Sequence, residues 1–355
     1  MNQIIYGDCL DILPSIPDRT IQTCITSPPY WGLRDYGTAT WEGGDPDCEH
    51  GARVMGNANK GAVREVLDGD TSRCYHCGAV RIDKQLGLEK TPEEYVEKMV
   101  AVFREVRRVL KDDGTVWLNL GDTYSNNRGS GSSVKMGDKQ KSNPGSHLGK
   151  KSCPIGLKEK DLVGIPWRVA FALQADGWYL RQDIIWSKPN PMPESVTDRC
   201  TKAHEYLFLL SKNAKYFYDA NAIKEPFSPF STPSKRDGNK GEIATNGTLR
   251  HDSGRLGNGS LGMNNAARNK RSVWHIATQP FPDAHFAVMP ERLVEPCVLA
   301  GSRGGDIVLD PFMGAGTVAK VAMDCQRRFI GIELSGDYIK IAEKRIAQKA
   351  LDLTK

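Results

Sequence analysis

Apolar positions cluster in short runs near both ends of the chain, and long polar stretches separate them. Gln3–Tyr6 and Thr20–Thr26 are apolar or β-branched and predict strands, with a short helix over Cys9–Leu13 between them. Thr91-Pro92-Glu93-Glu94 marks a helix start: threonine as N-cap, proline in the first turn, glutamates close behind. Val96, Met99, Val100, Phe103, Val106, Val109 and Leu110 then recur at helical spacing. Asp113-Gly114 is the expected stop before a buried strand, Thr115–Leu120. A helix over Ile165–Asp176 and strands over Arg181–Trp186 and Glu205–Leu210 come next. The C-terminal part predicts helix Pro290–Ala300, strand Asp306–Leu309, helix Val318–Asp324, strand Arg328–Ile332 and helix Gly336–Gln348. Strands alternating with helices imply an α/β fold around a mostly parallel sheet.

Three polar stretches interrupt this pattern: residues 37–85, 125–152 and 224–272. They are too long for plain connections and are expected to carry function. The chain of 355 residues is long enough for one large domain with insertions or for two domains. No apolar run reaches the length that crosses a bilayer, and the N-terminus has no signal segment, so a cytoplasmic protein is expected. The nine cysteines are odd in number and scattered, which fits a reducing compartment.

The net charge of +5 is mild, but its distribution is uneven. Residues 126–151 hold six basic side chains against Asp138 alone, and residues 231–275 hold eight against Asp237, Glu242 and Asp252. Each stretch carries +5, so the rest of the chain carries −5. Positive charge gathered on two polar stretches is the footprint of a polyanion binder.

Chemistry enters where the strands end. After Thr20–Thr26 the chain reads Ser27-Pro28-Pro29-Tyr30-Trp31. Proline has no N–H and a fixed φ, so the strand stops abruptly and leaves carbonyl oxygens, a hydroxyl and two rings at its lip. Near the C-terminus, Asp310-Pro311-Phe312-Met313-Gly314-Ala315-Gly316-Thr317 follows a strand and opens a helix. That is where ligands dock in doubly wound sheets. The next strand ends in Glu333, placed to take both hydroxyls of a ribose, so a nucleoside cofactor fits. The G-x-G-x-x-G fingerprint of a pyrophosphate site is absent.

Within 37–85, Cys48-Glu49-His50 and Cys74-Tyr75-His76-Cys77-Gly78 have the spacing of a zinc knuckle. The expected ligands are Cys48, Cys74, Cys77 and His50, with His76 the weaker fourth candidate. Such a structural zinc would order a segment poor in apolar residues. It would not be catalytic.

Thr26–Tyr30 together with Asp310–Thr317 resembles the S-adenosylmethionine-dependent DNA methyltransferases that modify exocyclic amino groups. With the catalytic motif first and the cofactor motif last, the chain is similar to their β class. The resemblance implies a Rossmann-like methyltransferase fold with a mostly parallel twisted sheet, circularly permuted motif order and loop insertions. It divides the chain into a catalytic half (1–36 and 86–223), a zinc-knuckle insertion (37–85), a target-recognition insertion contacting DNA (224–275) and a cofactor half (276–355). It assigns cofactor contacts to Asp8, Asp310, Pro311, Phe312, Gly314, Gly316, Thr317 and Glu333, and a cofactor-closing role to Phe286–Pro290. Catalysis falls to Ser27, Pro28, Pro29 and Tyr30. Trp31, Lys188, Asn190, Ser195, Arg199 and His204 would line the target-base pocket.

An exocyclic amine is a poor nucleophile, because its lone pair is delocalised into the ring. Acceptors from Ser27 Oγ and the Pro28 carbonyl would hold its N–H groups and favour the attacking form. Tyr30 would stack on a base flipped out of the duplex. Direct transfer needs alignment rather than a covalent intermediate, and no cysteine follows the proline pair in the motif. Serine at the first position resembles the N4-cytosine enzymes; N6-adenine is the alternative. An RNA or protein-amide methyltransferase and a catalytically silent DNA-binding module are further readings. The expected partners are double-stranded DNA and, beyond it, a restriction endonuclease or a second copy of the chain.

Overall fold

A computed structural model describes residues 2–32, 38–48, 50, 73–74, 76–125, 156–226, 267–279, 281 and 288–352. In chain order the elements are β1 (Gln3–Tyr6), α1 (Cys9–Ile12), a 3-10 turn (Leu13–Ser15), β2 (Ile21–Thr26), β3 (Thr40–Glu42) and β4 (Val80–Ile82). Then come α2 (Pro92–Val109), β5 (Leu110–Leu120), α3 (Ile165–Ala175), β6 (Tyr179–Ser187) and β7 (His204–Ser211). The rest are β8 (Glu225–Pro226), β9 (Ala267–Arg268), β10 (Val273–His275), α4 (Glu291–Gly301), β11 (Ile307–Asp310), α5 (Thr317–Asp324), β12 (Arg328–Glu333) and α6 (Gly336–Asp352).

Eight strands form one sheet in the order β1-β12-β11-β2-β5-β7-β6-β10. Every neighbouring pair is parallel except the two that β7 makes with β5 and β6. The expected α/β architecture is therefore present. From β11 the chain crosses through α5 to β12 on one side, whereas from β2 it proceeds to β5 on the other. The winding reverses between β2 and β11, and such a switch point opens a crevice beyond the carboxyl ends of the strands.

Side chains alternate between the two faces of the sheet, so successive residues enter different cores. Val116, Leu118 and Leu120 of β5 join α2 and α3 on one face, while Trp117 joins α4 and α5 on the other. Thr91 Oγ1 caps α2 by accepting from Glu94 N at 3.2 Å, as its start signal requires. The buried stripe of this helix is Tyr95, Met99, Val102, Phe103 and Val106; Val96 and Val100 sit at its margin.

One boundary differs from the sequence reading. The helix ends at Val109, Leu110 turns extended, and β5 begins at once. Ile21 pairs with Leu110 while Thr23 pairs with Thr115, so Lys111–Gly114 bulge out of the ladder. Asp113-Gly114 serves this bulge and not a helix stop, held by Gln22 Nε2 donating to Asp113 Oδ1 at 3.1 Å. The basic stretches 126–151 and 231–266, and Phe286-Ala287, lie outside the described residues. No helix among the described residues is long and apolar enough to cross a membrane.

Candidate active site

At the switch point β11 ends in Asp310, a carboxyl that is 3% exposed. Its Oδ1 accepts from Thr26 Oγ1 at 2.6 Å and from Phe312 N at 3.1 Å. Burial nevertheless drives its pKa up to about 7, against the pull of these two bonds and with a smaller push from Glu333. Gly314 and Gly316 adopt positive φ of 52° and 77°, and α5 starts directly behind them. Gly314 N donates to Glu333 Oε2 at 2.7 Å and Ser335 N to Oε1 at 2.8 Å, which fixes the acid at the mouth of the crevice. Burial raises its pKa as well. Gly7 N donates to the Glu333 carbonyl at 3.0 Å, and this brings Asp8 alongside. Asp8 Oδ1 is engaged in capping α1 through Leu10 N at 2.7 Å. Pro311 is buried and Phe312 half-buried. Thr317 Oγ1 is committed to Arg345 Nη1 at 2.9 Å, a contact between α5 and α6.

Beside this crevice, the lip at the end of β2 is held rigid. The Pro29 carbonyl accepts from Tyr95 Oη at 3.0 Å, and buried Trp31 donates Nε1–H to the Glu89 carbonyl at 3.0 Å. Ser27 Oγ donates to Tyr30 Oη at 3.2 Å. Tyr30 Oη lies 2.8 Å from Glu205 Oε2 and 3.0 Å from Asn119 Oδ1. It has one proton, and the shorter, charge-assisted bond to the carboxylate claims it. Asn119 Nδ2 reaches Glu205 Oε2 at 3.3 Å and the Tyr206 carbonyl at 3.0 Å, while Lys188 Nζ is ion-paired with Glu205 Oε1. Lys188 also stands over the Trp186 ring at 4.3 Å.

Three neighbouring strands supply these groups: Asn119 near the end of β5, Glu205 at the start of β7, Lys188 just past β6. A Cβ on Gly121 would lie 2.5 Å from Tyr30 Cε2, so the ring packs directly on bare backbone. With its proton directed to Tyr30, Ser27 Oγ keeps its lone pairs free to accept from an N–H group. The bonded chain that ends at Glu205 polarises that oxygen further.

The chain that carries this lip and crevice is similar to known proteins in sequence and fold. A family model described as DNA methylase, of the N6/N4 type, matches residues 21–344. The chain belongs to the N6/N4 DNA methylase family. Among its relatives, the Type II methyltransferase M.XycI of Xanthomonas campestris pv. cyanopsidis is 40% identical over 345 residues, 97% of this chain and 87% of that protein. The solved PvuII DNA methyltransferase, a cytosine-N4-specific enzyme, shares the fold with a TM-score of 0.56 at 16% identity, covering 97% of this chain and 86% of that one. A Thermus thermophilus protein solved with S-adenosyl-L-methionine shares it with a TM-score of 0.53 at 18% identity, covering 98% and 94%.

In this methylase the remaining expected pocket residues lie between β6 and β7 or, for His204, at the first position of β7. Asn190 is bonded to Thr278 by Thr278 N donating to its Oδ1 at 3.0 Å. Arg199 pairs with Glu194 at 2.6 Å and lies 3.9 Å from the centre of the Tyr124 ring. His204 stands edge-on to Tyr206, and Ser195 is exposed. Neither Asn119 nor Lys202 was expected. The sole signal for Asn119 was an amide inside an otherwise apolar strand. Burial pushes the Lys202 ammonium pKa down, and its Nζ donates to the Asp122 carbonyl at 2.8 Å. Cys24 lies close before the lip, but it is fully buried and burial holds its thiol well above the usual range. Cys24 therefore offers no thiolate for a carbon-5 type of covalent route.

The four expected metal ligands meet. The Sγ atoms of Cys48, Cys74 and Cys77 and a ring nitrogen of His50 all lie within 4.8 Å of one another. Cys48 Sγ and Cys74 Sγ are 3.8 Å apart, and Cys77 Sγ and His50 Nδ1 are 3.3 Å apart. Tetrahedral zinc with bonds of about 2.3 Å to sulfur and about 2.0 Å to nitrogen would set its ligands roughly 3.5–3.8 Å from one another. The residues fit a closed Cys3His site. The Cys74 and Cys77 turn folds as a knuckle, with Cys74 N donating to the Ala79 carbonyl at 2.7 Å and Gly78 N to the Cys74 carbonyl at 2.9 Å.

Proposed function

We propose that the protein is a Type II DNA methyltransferase that moves a methyl group from S-adenosylmethionine to the exocyclic amine of a flipped-out base, N4 of cytosine in preference to N6 of adenine. The observation that carries this reading is the Thr26–Asp310 hydrogen bond of 2.6 Å, which joins the acceptor lip to the glycine-turn crevice. A methyl donor seated against Asp310 and Glu333 would then lie beside Ser27. Ser27 Oγ and the Pro28 carbonyl orient the amine, and Tyr30, anchored through its hydroxyl, presents its ring to the base. The donor supplies an electrophilic methyl; the chain's part is alignment. The serine in the lip and the fold shared with a cytosine-N4 enzyme support cytosine.

Double-stranded DNA is the proposed substrate, with residues 224–275 as its main contact and a restriction endonuclease or a second copy as a further partner. Zinc is the proposed metal at Cys48, His50, Cys74 and Cys77, as a structural ion. The deciding experiment incubates the protein with unmethylated duplex DNA and labelled S-adenosylmethionine and then analyses the nucleosides. N4-methylcytosine is the expected product. N6-methyladenine alone would reverse the base assignment, and cofactor binding without transfer to any DNA would leave only a binding module.

A further inference from the structure

The metal cluster sits on a hairpin whose far end runs into the catalytic lip. β3 and β4 pair over three residues, Thr40 with Ile82, Trp41 with Arg81 and Glu42 with Val80. Two such short strands are marginal by themselves. Past β4 the chain enters the body. Lys84 pairs with Asp11 at 2.8 Å, Gln85 is buried, and Leu86 joins the core beneath α2.

The next residues clasp the lip itself. The Gly87 carbonyl accepts from Gly32 N at 2.8 Å, and the Glu89 carbonyl accepts from Trp31 Nε1 at 3.0 Å. Gly87 has a φ of +94°, and a Cβ there would lie 2.8 Å from the Tyr30 carbonyl oxygen. The lip therefore has one wall made of the core and another made of the strip 85–89. The insertion departs from the lip after Gly32 and returns through that same strip.

We infer that the metal acts as a clamp on catalysis: by closing the hairpin it holds residues 85–89 against Tyr30, Trp31 and Gly32, and so sets the geometry that aligns the target amine. This deepens the zinc reading above and rests on it. Cys48, His50, Cys74 and Cys77 are then positioning residues, since they touch neither donor nor base. The cofactor crevice is built from β11, β12 and β1 and is linked to the strip through the exposed Lys84–Asp11 pair on α1, a weak surface contact, so its affinity should change little with the metal.

The test uses the full chain. Its metal content is measured first, and the metal is then withdrawn with a strong zinc chelator and restored with Zn(II). Expected on withdrawal are a fall in turnover of about tenfold to a hundredfold, faster amide exchange at Gly32, and unchanged affinity for S-adenosylmethionine. Zn(II) should reverse the first two. Cys77→Ser should behave like the chelated protein without rescue. Bound metal whose removal leaves both turnover and Gly32 exchange unaltered would overturn the clamp while sparing the zinc site. Protein purified without metal and fully active would overturn both. Loss of S-adenosylmethionine binding along with turnover would show general unfolding in place of a local clamp, and would also overturn the inference.

Discussion

Thr26 Oγ1 donates to Asp310 Oδ1 at 2.6 Å across 284 positions of sequence, inside the buried seam between β2 and β11. The bond ties the neighbour of Ser27 to the residue that opens the glycine turn. Thr26→Val keeps the shape and removes the donor, leaving a buried carboxyl with one partner fewer. Stability should fall by about 1–3 kcal/mol, as read from urea unfolding.

Asp310 also predicts a pH dependence. Its folded-state pKa of about 7 lies above the ordinary carboxylate range. Below the unfolded pKa both states hold the proton. As pH rises toward 7 the unfolded chain releases it first, so stability present in acid is lost. With the cofactor absent, the native protein should lose stability between about pH 4 and pH 7 relative to Asp310→Asn. Parallel curves for the two proteins in thermal unfolding across that range would refute the assignment.

Ser27→Ala and Tyr30→Ala should abolish turnover and retain S-adenosylmethionine binding. Tyr30→Phe separates ring from hydroxyl: it keeps the face that meets the base and cuts the chain from Ser27 to Glu205. Its turnover should drop by roughly tenfold to a hundredfold, the scale expected for losing a hydrogen bond to a charged group. Steady-state kinetics that show Tyr30→Phe equal to native would remove the polarising role.

Gly121→Ala places a methyl 2.5 Å from Tyr30 Cε2, where neither ring nor strand can yield easily. Turnover should collapse with a stability cost of about 1–3 kcal/mol from overpacking. Both are measurable on one preparation by methyl transfer and denaturant unfolding.

Asp122→Ala should loosen α3. Asp122 Oδ1 accepts from Gly164 N and Ile165 N, each at 3.0 Å, and so caps a helix that begins over forty residues later. The cost should be about 1–2 kcal/mol in unfolding experiments. S-adenosylmethionine binding should not change.

What sequence reasoning reached, and what it missed, follows from range. Asp310, the glycine turn and Glu333 lie within one strand-turn-helix-strand run, so local pattern sufficed to place them together. The Thr91 cap and the helices at 165 and 317 were legible for the same reason. The lip was legible in its chemistry but not in its partners. Tyr30 meets Asn119 and Glu205 because β2, β5 and β7 stand side by side, and strand order is not written in local periodicity. The hairpin of β3 and β4 escaped notice because three-residue strands in a polar stretch carry no measurable alternation. Cysteine spacing found its metal ligands all the same, since coordination chemistry depends on residue type and needs no apolar pattern.

The reversed strand β7 divides the site into two parts. It begins at the edge where its antiparallel neighbour β5 ends, so β6, residues 188–203 and β7 form a hairpin whose paired Lys188 and Glu205 stand beside Tyr30. Under the proposed function, substitutions in residues 188–203 would alter the surroundings of the target base and leave β11 and β12 untouched. Such a division would let target preference change while the donor crevice stays the same.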